Sequence, residues 1–194
     1  MVKKLLLPRK FYDRPTLTVA RELLGARLVR ILDGVKLVGI ISETEAYIGE
    51  DDLACHAKAG RTKRTDPMYG PPGHAYIYFT YGNHWMLNVV TEQEGFPAAV
   101  LIRAIQPLEG VDVMMERRQG RDTLGPGKLT QALGITISEN YVDLTEAGSS
   151  LWIEAGVKVP EKSVTIGARV GLNKTPEPWF SKPWRFLVKD TILK

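Results

Sequence analysis

The 194 residues predict an α+β fold: a single domain with a curved, mostly antiparallel sheet, helices at its edges and a protruding β-hairpin. Three observations lead there. Asp33-Gly34 and Gly82-Asn83 are two-residue turn signals, and each joins runs rich in β-branched and aromatic residues, the pattern of antiparallel hairpins. Helical spacing is confined to short stretches. No strand is followed by a phosphate loop or a dinucleotide fingerprint, and consecutive hairpins argue against a βαβ nucleotide fold.

Taken in order, Leu17, Ala20, Leu23 and Leu24 fall at helical spacing within Thr16 to Val29, with Thr16 or Thr18 available as a cap and Gly25 near the end. Arg27 to Leu32 and Lys36 to Ile48 are β-rich runs around Asp33-Gly34. From Gly49 to Gly73 the pattern dissolves into glycine, proline and charge, which reads as a surface loop with a basic rim of Lys58, Arg61, Lys63 and Arg64. Residues 75 to 91 form the aromatic hairpin. Ala98 to Ile105 is an apolar strand running up to Pro107, and Gly110 to Gln119 a helix. Gly125-Pro126-Gly127-Lys128 reads as a turn before a short helix from Thr130 to Leu133, Leu151 to Ile153 and Ser163 to Val170 as late strands, and the stretch Trp179 to Val188 adds two tryptophans and a final strand.

Composition narrows the classes. With 44% hydrophobic and 25% charged residues, and no low-complexity tract or internal repeat, the chain is ordinary globular material and one domain over residues 1–194 is expected. A net charge of +4 is compatible with an anionic partner without requiring one. The single cysteine, Cys55, excludes an intrachain disulfide and points to a reducing compartment. Leu5-Leu6-Leu7 is far short of a signal-peptide core, and no run approaches the roughly 20 apolar residues of a membrane span. No secretion or membrane signal is therefore expected.

Several residues have the chemistry for a site. Alternation along Val38 to Ile48 places Gly39, Ile41, Glu43, Glu45, Tyr47 and Gly49 on one face. Two carboxylates about 7 Å apart are too close for both to be buried and ionised without donors. Spacing alone leaves a solvated strand face open as the alternative. Tyr76, Tyr78 and Thr80 share one face of the hairpin, and Ile77, Phe79 and Tyr81 the other. The tyrosines can cover the sheet, with Ile77 and Phe79 in the core, or sandwich a base, and Tyr81 at the tip can enter a duplex. His56, Asn88 and Arg103 interrupt otherwise apolar or acidic surroundings, at a structural boundary or at a site. Lys128 suits a DNA phosphate, solvation being the alternative. His56, His74 and His84 lack the paired spacing of metal ligands, so no metal is expected.

Five separated segments, Glu43-Thr44-Glu45-Ala46-Tyr47, Tyr76 to Gly82, the Asn88 strand, Arg103 to Gly110 and Gly125 to Leu129, resemble the alkyladenine (3-methyladenine, or methylpurine) DNA glycosylase family in order and spacing, from about Leu23 to Val188. The resemblance implies a monofunctional base-excision-repair enzyme without cofactor, acting on damaged double-stranded DNA, monomeric, and cytoplasmic and nucleoid-associated in a prokaryote. It implies that Glu45 holds and deprotonates the attacking water, with Arg103 contacting the DNA backbone or orienting that water. Tyr47, His56 and Tyr78 would line the base pocket, Asn88 would screen against a guanine amino group, and Tyr81 would intercalate, flanked by Thr80 and Gly82. Thr80 departs from the pattern, where a larger apolar residue is expected. Expected lesions are 3-methyladenine and 7-methylguanine, with hypoxanthine and ethenoadenine as further candidates; no evident donor supplies the N7 proton those neutral bases need. The rival reading is a non-catalytic binder of distorted nucleic acid.

Overall fold

The computed structural model describes residues 6–80, 82–146 and 148–188. Among the described residues eight strands form one curled, antiparallel sheet: β1 (Arg27–Leu32), β2 (Val35–Ile48), β3 (Ala75–Thr80), β4 (His84–Val90), β5 (Ala98–Glu109), β6 (Leu151–Glu154), β7 (Val164–Gly167) and β8 (Arg185–Val188). The main path runs β3-β4-β5-β2-β1-β6. Strand β2 pairs with β5 along one edge; its other edge is shared by β1 and then, from Glu43 to Glu45, by β8. The expected α+β class with edge helices is what the chain forms. Among the described residues no helix is long and apolar enough to cross a membrane.

A β-bulge sets the phase of the central strand. Ile41 pairs with Ile105 and Glu43 with Ala104, so Ser42 is inserted without a partner in that ladder. Leu37 and Ile41 belong to the main core, and beyond the bulge Ala46 takes over that side, with the Thr44 hydroxyl donating to the Ala20 carbonyl. Unbroken alternation, which puts Ile41 on one face with Glu43 and Glu45, is thus corrected: the extra residue turns the carboxylates away from the core that Ile41 enters.

Helix α1 (Arg9–Tyr12) precedes α2 (Thr16–Glu22), which packs on β2 and β5. α2 is shorter than Thr16 to Val29, because the chain turns at Gly25 and Arg27 already pairs with Ile40. Its threonine is no cap: Pro15 occupies that position, and Thr16 hydrogen-bonds Thr91 and Glu92. Strand β5 continues through Pro107, where a register shift between Val38 and Gly39 accommodates a residue without an amide hydrogen. Helix α3 (Val111–Arg118) matches its expected span, whereas α4 (Pro126–Leu133) starts four residues early because Pro126 sits in its first turn, where no amide donor is needed. The late strand is likewise shorter than Ser163 to Val170, and Arg169 and Val170 leave the ladder.

Candidate active site

Strands β2, β3, β4 and β5 present one face to a cavity of about 420 Å³, closed by the loop before β3, the start of α4 and residues 170–172. The segment from 49 to 73 is more than a surface loop. Two 3-10 helices, His56–Ala59 and Asp66–Tyr69, bury Cys55, Ala57, Met68 and Tyr69 against Tyr76, Val90 and Ala99, forming a second apolar cluster that builds the cavity wall. Lys58, Arg61, Lys63 and Arg64 stay exposed on its rim, as expected.

Glu45 is fully buried, its carboxylate held by three residues of the cavity lining. Its Oε1 accepts from the Val170 amide at 2.7 Å; its Oε2 accepts from the Tyr47 hydroxyl at 2.8 Å and lies 3.4 Å from an Arg103 nitrogen. Tyr47, Arg103 and Val170 all line the cavity. A carboxylate has about four lone-pair positions, so with three donors present Oε1 keeps one for a proton. Burial pushes the Glu45 carboxyl above the usual range, opposed by Arg103, the Val170 amide and Tyr47, with Glu43 adding to the rise. Glu43 in turn accepts from Arg103 Nε at 3.0 Å and from Arg185 Nε at 2.5 Å. The two carboxylates therefore share the Arg103 guanidinium, and Glu43 has that of Arg185 besides, the compensation their closeness demands. The Tyr47 hydroxyl is held far above its ordinary range by burial and by Glu45, and so remains a donor.

His56, Tyr76 and Tyr78 give the cavity an aromatic and imidazole wall. His56 Nδ1 lies 2.9 Å from the Tyr76 hydroxyl, and its ring meets that of Tyr78 edge-on at 4.5 Å. Burial, Arg64 and Lys58 lower the His56 pKa to about 4, so the ring is neutral near pH 7. The Arg64 guanidinium lies over Tyr78, 5.2 Å from its centroid. Asn88 is buried at the inner end, where its amide donates to the Tyr76 carbonyl at 3.0 Å and still faces the cavity. Burial pushes the Cys55 thiol up to about 12, leaving it an inert apolar contact.

The mouth is formed by the hairpin end and α4. Thr80 pairs with His84, so three residues, 81–83, rather than two separate the strands, with Gly82 at φ +73°. Tyr81 lies outside the described residues. Thr80 and Lys128 both line the mouth, Lys128 paired with Asp122 at 2.9 Å. Gly127 carries no side chain where the chain crosses His84: a Cβ there would stand 2.7 Å from the imidazole Cγ. On the hairpin's second face Ile77 enters the main core, as expected, whereas Phe79 is exposed and packs at a tilt against Trp85 outside the cavity.

Glu45, Tyr47, His56, Tyr78, Thr80, Asn88, Arg103 and Lys128 thus converge on one cavity or the wall behind it. Sequence reading missed Val170, whose contribution is a backbone amide, and Arg169 and Arg185, all of which meet β2 from 123 to 142 positions away, as well as Asp52, which lies just beyond the end of β2 and pairs with Arg169. The available signal was weak: Arg169, like Arg103, is a charge between apolar neighbours.

Known proteins resemble the chain over nearly its whole length. A family model described as methylpurine-DNA glycosylase (MPG) matches residues 10–192. Relatives provisionally named 3-methyladenine DNA glycosylase include a Chlorobaculum parvum protein, 48% identical over 94% of this chain and 87% of its own. Another, from Carboxydothermus hydrogenoformans, is 47% identical over 96% of both chains. A third, from Methanocella arvoryzae, is 47% identical over 95% of this chain and 93% of its own. With that match spanning nearly every residue of the sheet and the cavity, the chain belongs to the methylpurine-DNA glycosylase family and is a DNA glycosylase.

Proposed function

We propose that the chain acts as one monomeric glycosylase domain that extrudes alkylated purines, 3-methyladenine and 7-methylguanine foremost, from double-stranded DNA and hydrolyses the N-glycosidic bond, leaving an abasic site. The observation that carries the reading is a fully buried carboxylate, Glu45, anchored by Val170, Tyr47 and Arg103 at the back of a cavity lined with tyrosines.

The chemistry follows from those placements. Breaking the bond builds positive charge on the sugar, and the Glu45 carboxylate stabilises it while Oε1 takes a proton from water attacking opposite the departing base. A general base serves best with a pKa near the working pH, and the raised Glu45 carboxyl is shifted that way. Arg103 keeps it ionised. Purines alkylated at N3 or N7 already carry positive charge and leave without strong acid help, whereas hypoxanthine and ethenoadenine need a proton from a water or backbone group. The cationic base stacks between Tyr47 and the Tyr78–His56 wall, which gains roughly 0.5–2 kcal/mol from a ring quadrupole. Neutral His56 adds no opposing charge. Asn88 reads the purine edge at its 2-position, Tyr81 fills the gap in the duplex beside Thr80 and Gly82, and Lys128 exchanges Asp122 for a phosphate.

The test is release of free base from duplexes containing 3-methyladenine or 7-methylguanine in chelator, with abasic sites scored by alkaline cleavage. Release abolished by Glu45→Gln, and affinity falling as salt rises, are the expected results. Release unaffected by that substitution refutes Glu45 as the base; lesion binding with no release at all leaves the non-catalytic binder standing.

A further inference from the structure

The wall behind Tyr47 contains a charge pair that the chemistry above does not use. The side chains of Arg169 and Asp52 are fully buried, with two guanidinium nitrogens 2.5 and 2.9 Å from the two carboxylate oxygens. Their other bonds go to backbone: Arg169 donates to the carbonyls of Ala46 and Trp179, and Asp52 accepts from the amides of Ile48 and Ala54. The guanidinium carbon lies 4.7 Å from the Tyr47 ring centroid and 4.9 Å from that of Trp184. Tyr47 lines the cavity and Arg169 does not, so the ring separates the guanidinium from the cavity. Folding alone gives a weak account of the pair, since apolar replacements of buried ion pairs are often neutral or better, and Arg169 Nε has no acceptor.

We propose that Asp52 and Arg169 are a specificity-determining pair: by cancelling each other's charge on the far face of Tyr47, they let a positively charged base stack on the near face. The inference rests on the reading that an alkylated purine enters this cavity. A base in van der Waals contact with the ring, ~3.5 Å from it, would lie about 8 Å from the guanidinium. At an effective dielectric constant of 20, one uncancelled charge at that distance changes affinity by about 30-fold. The sign depends on which partner is removed. Asp52→Asn leaves a net positive charge behind the ring and opposes a cationic base; Arg169→Gln leaves a net negative one and favours it.

The experiment measures Kd for duplexes carrying one 7-methylguanine (cationic) or one hypoxanthine (neutral), on a Glu45→Gln background that leaves the DNA uncut. Relative to that parent, the preference for the cationic lesion is expected to fall 10- to 30-fold with Asp52→Asn and to rise with Arg169→Gln. It should return to within about threefold in the double variant, where no charge remains. If Asp52→Asn does not fold, Arg169→Lys, which keeps the charge, should hold the parental ratio while Arg169→Gln raises it. A ratio unmoved across the folded variants, or both single substitutions moving it the same way, overturns the inference. Lesion-selective binding by the parent with an unmoved ratio overturns only this inference. Absence of lesion-selective binding in the parent overturns the proposed function with it.

Discussion

Replacing Glu45 by Gln separates catalysis from folding, because the two respond with opposite signs. The amide keeps the size of the carboxyl, its oxygen still accepts from the Val170 amide, and its nitrogen donates to the Tyr47 hydroxyl, which turns to accept. Arg103 retains Glu43. What is lost is the proton acceptor, and removing a general base costs ~10²–10⁴-fold in rate, about 2.7–5.5 kcal/mol of barrier. The folded carboxyl has its pKa raised, chiefly by burial. Its stabilising contribution is therefore fully present below the unfolded value, about 4.3, and disappears as pH rises through the folded one. At pH 7 the ionised group opposes folding, and Gln relieves that. Single-turnover release of 7-methylguanine, with enzyme in excess and chelator present, should drop by at least ~100-fold. Thermal unfolding at pH 7 should show a variant as stable as the wild type or more so, the advantage vanishing near pH 4. A rate within threefold of wild type refutes the assigned base, and a large loss of thermal stability at pH 7 refutes the electrostatic account of the carboxyl.

Three further outcomes are expected. Arg103→Met removes the counter-charge beside Glu45, so the acid limb of the single-turnover pH profile should move to higher pH; an unmoved limb means Arg103 does not tune Glu45. His56, with its pKa lowered to about 4, should show no imidazole titration by NMR between pH 8 and 5, and the stability its neutral form contributes should be lost as pH falls from about 6.5 toward 4; titration near 6.5 contradicts the burial assigned to it. Gly127→Ala drives a methyl to 2.7 Å from the His84 ring, an overpacking cost of ~1–3 kcal/mol that should outweigh the better helix propensity of alanine, so a higher melting temperature refutes the close approach.

The sheet was readable because its signals are local: turn dipeptides flanked by β-branched and aromatic runs placed the hairpins β1–β2 and β3–β4 and the strand that carries Glu45. Tyr76, Tyr78 and Thr80 line the cavity together, as period two along β3 requires. The same rule failed in β2, since a bulge at Ser42 is worth one residue and one residue reverses every later side chain. Nothing in Ile41-Ser42-Glu43 marks it; the pairing with β5 on one edge and the change from β1 to β8 on the other do. Segment 49 to 73 read as surface because glycine, proline and charge dominate it, yet Cys55, Ala57, Met68 and Tyr69 suffice to fold it onto β3 and β4.

The part that stayed illegible is the part that makes a buried carboxylate usable. A strand can display Glu45, but a carboxylate at zero exposure would take up a proton and cease to be a base unless donors from elsewhere hold it ionised. Here they come from three directions: Tyr47 two residues along the strand, Arg103 across the β5 ladder, and Val170 from beyond the end of β7. Only the first can be read from spacing. The C-terminal segment is thus no appendage to the sheet, because Arg169 and Trp184 both hydrogen-bond the backbone of Ala46, between Glu45 and Tyr47. Shifting that segment moves Glu45 and Tyr47 together, so under the proposed function substitutions there should act on rate and lesion preference before they act on the core.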